Sequence, residues 1–109
     1  MMNLVNLTPH AINIVNTDGS TTTIPVSGKI ARVDSTVVNI GSINDIPLVR
    51  TVFGDVIDLP DPVDDTIYIV STMVLNRVSD RLDVVSPANL VRDDSGLVVG
   101  AGALTVGSL

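Results

Sequence analysis

Every acidic side chain in this chain is aspartate: there are twelve, with neither glutamate nor glutamine anywhere. That restriction constrains the fold more than any motif does. Glutamate and glutamine sit well inside helices, whereas aspartate competes for backbone hydrogen bonds and favours turns and caps. Val, Ile and Thr supply 39 of the 109 residues, and their branched Cβ suits a pleated strand. The expected class is all-β, meaning β-rich with one short helix, arranged as a small barrel or a compressed sandwich. The length suits a single domain over residues 1–109 with a modest core.

Charge and composition exclude several functions. A net charge of −6 argues against a general nucleic-acid binder, which needs a basic face. Phe53 and Tyr68 are the only aromatic residues, too few for a base-stacking platform. With no cysteine there is neither a disulfide nor thiolate chemistry, which fits a reducing cytoplasm. No apolar run reaches the roughly 18 residues that span a bilayer. The start, Met1-Met2-Asn3-Leu4, lacks the basic and apolar regions of a signal peptide. Neither a nucleic-acid nor a membrane partner is expected.

Along the chain, strands are expected at 3–7, 11–16, 21–24, 29–38, 46–53, 56–59, 66–70, 82–85 and 97–106. Thr17-Asp18-Gly19-Ser20 reads as a hairpin turn with positive φ at Gly19. Residues 41–45 and 60–65 read as loops, and Gly54-Asp55 as a turn. Val74, Leu75 and Val78 space a short helix within 72–80, with Ser71 or Thr72 as its N-cap. Gly100 and Gly102 predict a bulge or a close backbone approach. Residues 97–109 carry no charge. They should be buried as a strand of the domain or in a subunit contact, so a homo-oligomer is expected.

Several blocks recur in a fixed order: Asn6-Leu7-Thr8-Pro9-His10, Ile24-Pro25-x-Ser27-Gly28, Ala31-Arg32-Val33, Ile46-Pro47, Phe53-Gly54, Leu59-Pro60, Tyr68-Ile69-Val70-Ser71, Asp83-Val84-Val85-x-Pro87 and Arg92-Asp93-x-x-Gly96-x-Val98-Val99-Gly100. In this combination, over nearly the whole chain, the sequence resembles a family of small proteins from tailed phages, prophages and actinobacteria. Val26 departs from that pattern, where a second proline precedes the Ser-Gly. The resemblance implies a context, phage or prophage and host cytoplasm, rather than a mechanism.

The chemistry-bearing residues are few. His10, the single histidine, suits a general base or a ligand donor, or else simply shapes the turn after Pro9. Ser71 ends an apolar run and could be a nucleophile, but it lacks the glycines of a nucleophile elbow; N-cap is its other role. Asp61, Asp64, Asp65, Asp93 and Asp94 lack calcium-loop spacing, and there is no phosphate-binding glycine loop followed by Lys. No metal and no cofactor is expected.

The arginines carry more signal, because a guanidinium forks onto carboxylate or phosphate. One reading pairs them internally, Arg81 with Asp83 or Asp80 and Arg32 with Asp34. The other sets Arg81 and Arg92 around the helix start at Ser71 and Thr72, with His10 and Arg32 contributing, as a site for an anionic small molecule such as a nucleotide phosphate.

Three functions follow. The first is a module that binds or sequesters an anionic, nucleotide-derived signal without turnover. The second is a virion structural or assembly protein, or an oligomeric accessory factor. The third and least favoured is a small hydrolase using His10 and an aspartate.

Overall fold

The structure is a computed structural model and describes residues 2–107. The chain is β-rich, with 54% of it in strands and one short helix. Strands β1 (Asn3–Asn6), β2 (Ile12–Val15), β3 (Thr21–Ile24), β4 (Arg32–Ile43), β5 (Ile46–Ile57) and β6 (Thr66–Ile69) precede helix α1 (Thr72–Arg77). Strands β7 (Val84–Arg92) and β8 (Val98–Thr105) follow it.

Six strands form one mixed sheet in the order β1-β6-β7-β8-β2-β3, and β4 pairs only with β5. No closed barrel forms. The parallel pairing of β6 with β7 puts Tyr68 opposite Val84 and Ile69 opposite Val85. Parallel neighbours need a crossover of a dozen or more residues. Residues 70–83 provide it, and α1 is its ordered part.

Alternation along β6 sends successive side chains to opposite faces, and both faces are buried. Tyr68, Val70 and Val84 join Leu7, Ala31, Val74 and Leu75 of α1 in one cluster. Ile69 and Val85 join Ile12 and Ile24 in a second, which places the β2–β3 hairpin over the other face. The apolar run at 67–70, expected as a central strand, is an interior one, second from the edge between β1 and β7, with both faces covered.

Gly100 does allow a close approach. A Cβ built there lies 2.7 Å from the Asn13 carbonyl oxygen and 3.1 Å from Val15 Cγ2. This is where β8 meets β2, through the pair Ile14–Ala101. Gly100→Ala should therefore cost about 1–3 kcal/mol as overpacking. Chemical denaturation measures it, with an unchanged midpoint as the contrary result.

The elements differ from the sequence reading in several places, among them β4, which runs Arg32–Ile43 rather than the expected 29–38, and β7, which runs Val84–Arg92 rather than the expected 82–85. The segments expected as 46–53 and 56–59 merge into one strand that ends at Ile57, because Gly54-Asp55 is absorbed as a bulge between the pairs Val33–Val56 and Ser35–Phe53. The expected loop at 41–45 shrinks to a two-residue turn. Asn44 and Asp45 have φ of 50° and 62°, the positive pair that a type I′ turn needs and that Asn and Asp tolerate. Helix α1 stops at Arg77, before the expected limit. The C-terminal segment is only partly buried: Leu97, Val98 and Val99 are exposed, Ala101 is buried, and Ala103 and Leu104 are half-buried. Ser108 and Leu109, part of that expectation, lie outside the described residues, as does Met1.

Candidate functional site

The six residues expected to gather around one anion are dispersed. Ser71 is the N-cap of α1, with extended backbone (φ −68°, ψ 159°) and its Oγ accepting from the Val74 N–H at 3.4 Å. Thr72 is exposed at the first helical position. Arg81 is engaged by Asp83 and Pro60. Its Nε and Nη2 donate to both carboxylate oxygens of Asp83, at 3.0 and 2.6 Å, and Nη2 also donates to the Pro60 carbonyl at 3.1 Å. Arg92 is the last residue of β7, roughly 26 Å along the strand from its first residue Val84 at ~3.3 Å per residue, and donates to the Gly96 carbonyl at 2.9 Å. The structure thus does not bring Arg81, Arg92 and Ser71 together. His10 is exposed; its main-chain carbonyl accepts from Asn6 Nδ2 and from Thr8 Oγ1, both at 2.9 Å. Arg32 makes no ion pair with Asp34.

The Arg81–Asp83 pair is about four-fifths buried on each side. The side-chain hydrogen bonds from Arg81 hold the Asp83 carboxyl below its usual range, with desolvation opposing them. Arg81 moves up, chiefly through the same hydrogen bonds. Because the folded pKa of Asp83 is depressed, its contribution is fully present above its unfolded value near 3.9 and is lost as pH falls through the folded value. Asp83→Asn should lower stability by roughly 1–2 kcal/mol at pH 7. The deficit should shrink below about pH 4, as the wild-type carboxylate protonates. Melting curves at matched protein concentration from pH 7 to pH 3 would show it; a deficit that is constant with pH would refute the assignment.

Two other features were not read from the sequence as sites. The first is a cleft of about 700 Å³ lined by Gly28, Lys29, Ile30, Arg32, Asp58, Leu59 and Pro60. Two stretches far apart in the chain, 28–32 and 58–60, meet there. The Ser27 N–H donates to the Asn6 carbonyl at 3.1 Å and the Ala31 N–H to the Leu7 carbonyl at 3.0 Å, so the 27–31 loop is pinned at both ends. The opposite wall is held by the Arg81 bond to Pro60. The side chains of Lys29 and Arg32 make no hydrogen bond or ion pair among the described residues; Lys29 bonds to Ser27 through its main chain alone. Lys29 is the chain's one lysine, and that rarity was the only signal available.

The second feature is the β4–β5 ribbon. Its root is held to the body by Val33 and Val56, partly buried and packed against the first buried cluster, and by Arg77 Nη2 donating to the Gly54 carbonyl at 3.0 Å. Beyond the root it is a two-stranded arm. Along β5, Ile46, Leu48, Arg50 and Val52 share one face, and Pro47, Val49, Thr51 and Phe53 the other. Both faces are apolar, and both are exposed: nine of the twenty-one exposed large hydrophobics among the described residues lie in 37–53, so the exposure is concentrated there. The only charged residues from 35 to 53 are Asp45 and Arg50. The absence of polar alternation in this stretch was the legible signal.

Among the described residues no group of three His, Cys, Asp or Glu is placed to hold a metal ion. No helix is long and apolar enough to cross a membrane. The chain matches no family model, no curated protein and no solved structure.

Proposed function

We propose that this protein is a self-assembling structural or accessory protein, and that the β4–β5 arm is the element by which copies of the chain hold one another. The observation that carries this is surface area. A compact monomer of 11.4 kDa exposes about 5,800 Å², and this chain exposes 7538 Å². Its radius of gyration is 16.9 Å, where about 13 Å is usual for this length. The excess of roughly 1,700 Å² is about twice what one partner contributes to a standard interface and matches an obligate one.

Three arguments select a second copy as the occupant. A two-stranded ribbon is marginal in water without a third strand or a packed face, so its cover must be present whenever the chain folds; another copy always is. Copies with a charge of −6 repel, and the arm, neutral between residues 35 and 53, is where they approach with least cost. The body also offers its own exposed apolar strip, Leu90, Leu97, Val98 and Val99, beside a shallow groove along β7 and β8. Pro47 and the bulges flanking the ribbon obstruct continuous edge-to-edge pairing, which favours packing through the faces. Sedimentation velocity at micromolar concentration tests the reading. A defined multimer is expected; a monomer at about 50 μM, well above what an obligate interface requires, overturns it.

A further inference from the structure

We infer that the cleft at the root of the arm is a binding site for a small phosphate monoester whose organic part carries a hydroxyl group. This inference does not rest on self-assembly. The side chains of Lys29 and Arg32 line the cleft without a hydrogen-bond or ion-pair partner among the described residues, in a chain with twice as many acidic as basic side chains. The three other arginines that hydrogen-bond, Arg77, Arg81 and Arg92, each spend a guanidinium on a carbonyl or a carboxylate. Two unpaired cations on one concave wall match the charge of a phosphate monoester, close to −2 at neutral pH; a monocarboxylate would satisfy one of them. Lysine supplies a point charge and arginine a fork that fits two phosphate oxygens.

The walls are already in place. Hydrogen bonds from Ser27 and Ala31 fix one side and the Arg81–Pro60 bond fixes the other, so little ordering is required on binding. The backbone N–H groups of Gly28 and Ile30, two lining residues, have no acceptor among the described residues. Ile30, Leu59 and Pro60 supply apolar contact for the organic part. Asp58 is the one carboxylate on the cleft. It disfavours a bare anion and accepts from a hydroxyl, which is why the ligand class is an ester of a hydroxylated molecule rather than free phosphate.

Titration calorimetry of the full chain in low salt, with ribose 5-phosphate, inorganic phosphate and succinate as probes, tests the inference. Saturable binding is expected, strongest for ribose 5-phosphate and weakened by added salt. Lys29→Gln and Arg32→Gln should each reduce affinity about tenfold, with the circular dichroism spectrum unchanged. Arg50→Gln, an equally unpaired cation on the arm, should leave affinity as it was. Any of four results overturns the proposal: no saturable binding of ribose 5-phosphate up to about 20 mM, succinate or inorganic phosphate binding at least as tightly, full affinity in the folded Lys29→Gln/Arg32→Gln double variant, or an equal loss in Arg50→Gln.

Discussion

A protein carrying both Val37→Asp and Val52→Asp should sediment as a folded monomer at concentrations where the wild-type chain is fully assembled. The two positions lie on opposite faces of the arm, and each sits across from a threonine, Thr51 and Thr36, with no cation opposite. Neither belongs to the buried clusters, so the body keeps its core. Burying an unpaired carboxylate in an apolar contact costs several kcal/mol; at about 3 kcal/mol each, the dissociation constant rises by two orders of magnitude or more per substitution. Circular dichroism separates this result from unfolding. A variant that assembles like the wild type would remove the arm from the interface. A wild-type chain that is itself monomeric would remove the whole reading.

Asn6→Ala should produce the largest loss of stability from a single polar side chain. Asn6 is 1% exposed, and its amide is fully used. Nδ2 donates to the carbonyls of His10 at 2.9 Å and Ile24 at 3.2 Å. Oδ1 accepts from the Thr8 N–H at 2.9 Å and from Thr8 Oγ1 at 2.6 Å. One side chain therefore ties the end of β1 to the turn after it and to the end of β3. Alanine strands these groups, and a buried unsatisfied donor or acceptor costs about 1–3 kcal/mol. The network loses roughly 3 kcal/mol in total, which lowers the melting temperature by about 12–20 °C for a domain of this size. Asn6→Asp keeps the acceptor, loses both donors and buries a charge, so it should be at least as damaging. A shift of only a degree or two in either variant would show that the network relaxes to water.

The same network bears on the two readings of His10: the structure uses its carbonyl to shape the turn after Pro9, while its imidazole is exposed. A backbone role leaves no mark on residue identity. Ser71 was legible as a cap because N-capping is a local interaction, set by a hydroxyl at the end of a strand three residues before an amide it can reach. Arg81 with Asp83 was legible in the same way, since spacing of two allows a direct fork. The convergence imagined for Arg81, Arg92 and Ser71 failed on a long-range quantity: β7 runs nine residues, so its two ends are far apart, and nothing in the local pattern states a strand's length or direction.

What the sequence determined by itself is the class of structure. Aspartate without glutamate, and branched side chains in short runs, leave little but strands and turns, together with one capped helical turn before Arg77. That follows from preferences each residue expresses alone or with near neighbours. Tertiary structure decided which strands pair, and so which faces are covered. Residues 46–57 and 66–70 are both apolar in more than half of their positions, yet β6 is buried between two neighbours while β5 stands out beside β4 alone. Burial depends on partners distant in the chain, and a periodic pattern carries no address for them. For that reason the arm, and the cleft at its root where Lys29 and Arg32 meet Asp58 and Pro60, became visible only once the chain was folded.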